Sequence, residues 1–128
     1  MMSERQGGGQ LAQRTKAFAL DMVRLYSRLP KTTAAQVLGK QALRSGTSVG
    51  AQYREATRAR SSAEFVSKIE SALQELEETT YWLELLVEAG IASHEQTRPS
   101  LLEAHELMAM LASSAKTAKK RREKASEE

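Results

Sequence analysis

Apolar residues recur along this chain at steps of three, four and seven, in four stretches separated by short breaks. That period belongs to a helix with one buried face. In the first stretch, residues 10–28, the stripe is Leu11, Phe18, Met22 and Leu25, with Leu29 just beyond it. Pro30 ends it, because the residue before a proline is pushed out of the helical region. Thr32 or Thr33 is placed to cap the second helix, which runs to about Arg58 with Leu38, Ala42, Ser45, Val49, Gln52 and Ala56 on one side. Ser61 and Glu64 have capping-box spacing at the start of the third. Its stripe is Phe65, Ile69, Ala72, Leu73, Leu76, Leu83, Leu86 and Val87, and Gly90 stands where a left-handed C-terminal cap belongs. Ser93 and Pro99 are candidate start signals for the fourth, whose stripe is Leu101, Ala104, His105, Met108, Leu111, Ala112 and Ala115. Breaks this short force sequential helices to lie antiparallel. The expected fold is therefore an all-α, antiparallel up-down-up-down four-helix bundle.

The 128 residues suit one domain. Residues 1–9, with three consecutive glycines and no apolar stretch, are expected to form a disordered leader. Residues 10–115 are expected to form the bundle and residues 116–128 a basic, frayed tail. The absence of cysteine removes disulfides, thiolate metal ligands and a cysteine nucleophile, and fits a cytoplasmic protein. No apolar run is long enough for a membrane span, so no membrane partner is expected.

The net charge of +3 conceals a segregation. Residues 1–60 carry 11 Lys and Arg against 3 Asp and Glu, residues 61–115 carry 2 against 10, and residues 116–128 carry 6 against 3. Either the basic and acidic halves pack with complementary potentials, or a basic face is left for nucleic acid. For the second case the contacts would be Arg44, Arg54, Arg58 and Arg60 with Lys119, Lys120, Arg121 and Arg122 of the tail. Such contacts reach phosphates and are salt-sensitive; no aromatic residue interleaves the tail to stack on bases.

Other candidate chemistry is thin. The middle of the second helix, rich in Ser, Thr and Gly, lacks the Walker spacing and has no preceding strand. Ser45, Gly46, Ser48 and Gly50 are better explained as small residues that let a neighbouring helix approach closely. His94 and His105 lie eleven residues apart and form no Glu-x-x-His pairs, so neither a metal site nor a cofactor is expected. The glutamates of the third helix lie mostly off the core stripe, and no enzymatic activity is expected. Trp82, however, lies about five turns above Glu64 on the polar row, beside Tyr81 and near Leu85. The C-terminal half of that helix is apolar nearly all round, which calls for a partner surface.

The run from Gln41 to Ala56, centred on Ser45, Gly46, Thr47, Ser48, Val49 and Gly50, resembles a known bacterial family, as do Leu29, Pro30 and Lys31, Phe65, the run from Tyr81 to Leu86, and Gly90. It is the four-helix-bundle family encoded within intervening sequences of 23S ribosomal RNA genes, loosely labelled S23 ribosomal proteins. The resemblance covers residues 12–115; Gln52 stands where that family's pattern has Asn. It implies an up-down bundle, a homopentamer, no established enzymatic activity, and plausible binding of RNA or DNA. Two readings stay open: an oligomeric, non-enzymatic bundle with a basic nucleic-acid surface, or a protein-protein adaptor that uses Tyr81, Trp82 and Leu85 without nucleic acid.

Overall fold

The structure, a computed structural model, describes the backbone over residues 2–127 and side chains over residues 9–126. The leader expected over residues 1–9 therefore falls, save for Gly9, outside the described side chains. Four α-helices follow one another: α1 (Met2–Ser27), α2 (Thr33–Thr57), α3 (Ser62–Glu88) and α4 (His94–Glu127). Consecutive helices touch and α4 closes onto α1, while α1 and α3, like α2 and α4, lie on diagonals with no close backbone approach among the described residues. This is the expected up-down-up-down bundle.

Each helix starts and stops for a local reason. Thr32 accepts from the Ala35 N–H at 3.3 Å and Ser61 from the Glu64 N–H at 3.1 Å. The Glu64 carboxylate reaches back to the Arg60 N–H at 3.1 Å, so two otherwise unpaired donors are satisfied at the α3 start. Gly90 takes φ 73°, and the Ile91 and Gly90 N–H groups donate to the Leu86 and Val87 carbonyls in the Schellman pattern. Of the two start signals for α4, Ser93 is the one used. It accepts from the Gln96 N–H at 3.1 Å while its own N–H donates to Gln96 Oε1 at 2.8 Å. Pro99 lies inside the helix. Ser93→Ala is accordingly expected to cost about 1 kcal/mol, seen as a lowered melting temperature by circular dichroism. An unchanged melting curve would show that Pro99 defines the start after all.

The core is Leu11, Phe18, Met22, Leu25 and Leu29 against Ala35, Ala42, Val49 and Ala56, closed by Ile69, Leu76, Leu83, Leu86, Leu107 and Leu111. Three stripes are phased differently from expectation. In α2 the buried position near the end is Tyr53, and Gln52 is only half-buried. In α3 Val66 and Thr79 are buried, while Phe65, Leu73 and Val87 are half-buried. In α4 Leu107, Thr97 and Ser100 turn inward, and His105 and Ala112 are exposed, so His105 is a surface histidine and not part of the core stripe. The segment expected to fray from residue 116 continues α4 as helix to Glu127. Ala115 is still buried and Ala118 half-buried, and the strong helix formers beyond them extend the rod.

The small residues of α2 face two neighbours. A Cβ on Gly46 would lie 2.4 Å from Met22 Cγ, and one on Gly50 would lie 3.3 Å from Thr15 Oγ1. Gly39, which sequence reasoning passed over, holds the same relation to Leu29 at 2.5 Å. These glycines bring α1 and α2 together. Ser45 faces α3 instead: Thr79 Oγ1 donates to Ser45 Oγ at 2.8 Å, and Ser45 Oγ donates to the Gln41 carbonyl at 2.8 Å. Both residues are fully buried, so their hydroxyls satisfy one another across the seam. Ser48 is half-buried and donates to the Arg44 carbonyl at 2.7 Å, within its own helix.

Candidate nucleic-acid interface

Because α2 and α4 run in the same direction, their C-terminal ends finish at the same end of the bundle, where α3 begins. Arg54 sits in the last turn of α2, and Arg58 and Arg60 in the connection to α3; all three are exposed. Lys116, Lys119, Lys120, Arg121, Arg122 and Lys124 occupy the last turns of α4, also exposed. Seven of the eight cations that the sequence nominated are thus at one end. The acidic side chains described there are fewer: Glu55 pairs with Lys68 at 3.6 Å, Glu70 with Lys119 at 3.2 Å, Glu64 is committed to the α3 start, and Glu123 is exposed among the α4 cations. Exposed pairs of this kind contribute little energy and leave a net positive field.

Arg44 is the exception. It lies in the middle of α2, where its guanidinium bonds Glu75 at 3.3 Å and Glu78 across the α2–α3 seam. Arg14 does the same across the α1–α4 seam, forking onto Glu103 and reaching Glu106 at 2.8 Å. Both arginines come from the basic half of the chain and all four glutamates from the acidic half. The charge segregation therefore serves packing in the body of the bundle and leaves its surplus at one end.

Two grooves open at that end. The larger, about 890 Å³, is lined by Leu11, Tyr53, Phe65 and Met110 together with Arg60 and Arg121, among other residues. Tyr53 is buried, and burial pushes its phenol above the ordinary tyrosine range. The smaller, about 320 Å³, runs between the first turns of α3 and the last of α4, with Lys119 and Arg122 alongside Glu70 and Glu123 in its wall. Phe65 was missed as a surface feature, since its position in the heptad reads as core.

The other nominated patch lies at the opposite end of α3. Tyr81 is 53% exposed and meets Trp82 edge-on with ring centroids 5.1 Å apart. Trp82 and Leu85 are half-buried; Trp82 packs against the edge of the core, and its indole N–H donates to Glu78 Oε1, one turn earlier, at 3.2 Å. The side-chain oxygen of Gln52 is buried and has no hydrogen-bond partner among the described residues. Those residues contain no group of three or more His, Cys, Asp or Glu placed to hold a metal, and no helix long and apolar enough to cross a membrane.

The fold and its segregated charge define a class: small antiparallel helical bundles that present a basic end. The match is closer than class. The chain belongs to the 23S rRNA-intervening sequence protein family, which matches residues 10–113. A crystal structure of a protein of unknown function from the S23 ribosomal protein family of Bacteroides thetaiotaomicron is 38% identical to it, with a TM-score of 0.81 over 86% of this chain and 98% of the other. No curated protein matches. The basic turns of α4 from Lys116 onward lie beyond the family match.

Proposed function

We propose that this is a non-enzymatic, cytoplasmic binding protein that contacts RNA or DNA phosphates with the end of the bundle where α2 and α4 finish. The observation that carries the reading is the convergence of Arg54, Arg58 and Arg60 with the α4 cations from two segments more than fifty residues apart. Counterion release makes such binding steeply salt-dependent, with each phosphate contact adding roughly 0.7–0.9 to the logarithmic slope. Anisotropy of a labelled mixed-sequence RNA should show affinity falling linearly with salt on logarithmic axes. Arg54→Glu, Arg58→Glu and Arg60→Glu combined should weaken binding roughly tenfold and flatten the slope. Arg44→Gln should leave both nearly unchanged, because that guanidinium already serves Glu75 and Glu78. Undetectable binding at low salt, or binding indifferent to salt, would sink the reading.

A second observation favours self-association. Tyr81 on α3 and the pair Leu20 and Val23 on α1, 44% and 46% exposed, lie on diagonal helices, and Val37 on α2 and Leu102 on α4 are exposed as well. Unlike apolar patches on different sides suit a head-to-tail contact between copies, which closes into a ring where the rotation between them permits. The homopentamer implied by the family resemblance would be one such ring. A native mass at a multiple of 14.1 kDa, reduced by Tyr81→Glu, supports this; a monomeric mass would favour the adaptor reading, with a foreign chain on Tyr81, Trp82 and Leu85.

A further inference from the structure

We infer that the larger groove at the basic end receives an unstacked nucleobase, so that this surface selects single-stranded over duplex nucleic acid. The inference rests on the nucleic-acid reading above and specifies its substrate class. The groove combines two chemistries that a charged helix end alone lacks. Its apolar lining includes Leu11, Met110 and the half-buried ring of Phe65. Arg60, from the α2–α3 connection, and Arg121, from α4, line the same opening and are both exposed. A nucleotide has the matching division, a flat apolar base beside a phosphate. An aromatic face in a cationic groove is how single strands are held without sequence preference, since every base offers a π-face. The volume, about 890 Å³, lies within the range of small-molecule sites. In a duplex the bases are paired and stacked, and only the phosphates can reach the arginines.

The sequence concealed this arrangement, because Phe65 precedes the basic tail by more than fifty residues and no aromatic side chain lies within the tail itself. The carboxylates of an acidic peptide could meet the cationic wall but would gain nothing from an aromatic face, which is why a nucleotide is the better occupant.

The test compares three probes of equal phosphate count by anisotropy: a single-stranded oligoadenylate, an abasic strand and a duplex. The single strand should bind roughly tenfold more tightly than the abasic strand, with the duplex close to the abasic value. Ser113 lines the groove and is exposed, so Ser113→Leu fills the opening with a non-aromatic side chain without touching the core. It should abolish the advantage of the single strand and leave the salt slope intact; Phe65→Leu should do the same while keeping an apolar residue in place. Equal affinity for all three probes would overturn the groove proposal and leave the phosphate reading standing. So would an advantage that survives Ser113→Leu. Failure of every probe to bind would instead remove the nucleic-acid reading itself.

Discussion

Gly46→Ala should destabilise the bundle by about 2 kcal/mol, even though alanine is roughly 1 kcal/mol the better helix former. The added methyl would stand 2.4 Å from Met22 Cγ and 3.3 Å from Met22 Cβ and Sδ. Met22 is 1% exposed, so the obstructing atoms belong to a packed core side chain near its root and cannot swing into solvent. Either α1 and α2 separate locally or Met22 leaves its rotamer, and both strain a close-packed interior. Gly9→Ala provides the control. Among the described residues nothing packs within 4 Å of a Cβ there, so propensity alone should operate and the variant should gain stability. Urea unfolding of the two variants should move the midpoint in opposite directions. Met22→Ala alone should cost about 2–5 kcal/mol, but combined with Gly46→Ala the loss should fall below the sum, because the new methyl occupies part of the vacated space. Similar, stabilising effects of both glycine substitutions would show that α1 and α2 are not in the close contact described.

The helix count and direction were legible because punctuation and period agreed: Pro30, the Ser61 box and Gly90 each end or begin an element where the apolar stripe also does. The phase of α4 was not legible. Apolar or alanine residues occupy positions 101, 102, 104 and 107–112, so several rotations of the helix present a plausible stripe. What decides among them is the burial of Thr97 and Ser100, two small polar residues that hydropathy assigns to the surface. Similarly, the α2 face is built from Gly39, Ala42, Ser45 and Gly46, whose burial reflects how closely neighbouring helices approach rather than how apolar they are.

The candidate site was legible as charge and not as shape. The sequence supplied the right cations, but nothing local distinguishes Arg44, which is spent on glutamates 31 and 34 residues away, from Arg60, which lines a groove. Pairing across helices depends on register, and register emerges only when the bundle is assembled. The same holds for Phe65, which lies at the interior edge of the groove because α3 begins there and α4 overruns the end of the bundle.

Register also fixes the seam that closes the fold, and Arg14→Ala should lower stability by about 2 kcal/mol. Arg14 donates through Nε to Glu103 Oε2 at 2.9 Å and through Nη2 to Glu103 Oε1 at 2.5 Å, the fork that only a guanidinium can make. Its side chain is 28% exposed and that of Glu103 26%, so the pair is partly screened, yet desolvated enough that removing one member leaves the other without compensation. Glu106, at 68% exposure, adds little. Arg14→Lys should recover only part of the loss, since an ammonium cannot occupy both carboxylate oxygens in the same geometry. The pair also predicts an acid response. The hydrogen bond from Arg14, with its charge, holds the Glu103 carboxyl below its ordinary range despite the opposing effect of burial. A carboxylate with a depressed pKa in the folded state contributes stability that is complete above the unfolded value, near 4.3. That contribution disappears as pH falls through the folded value. Glu103→Gln should therefore be less stable than the parent at neutral pH, and the two should converge as the solution is acidified below pH ~4. A gap that stays constant with pH would mean that Glu103 contributes by packing rather than by charge, and that another contact holds α1 to α4.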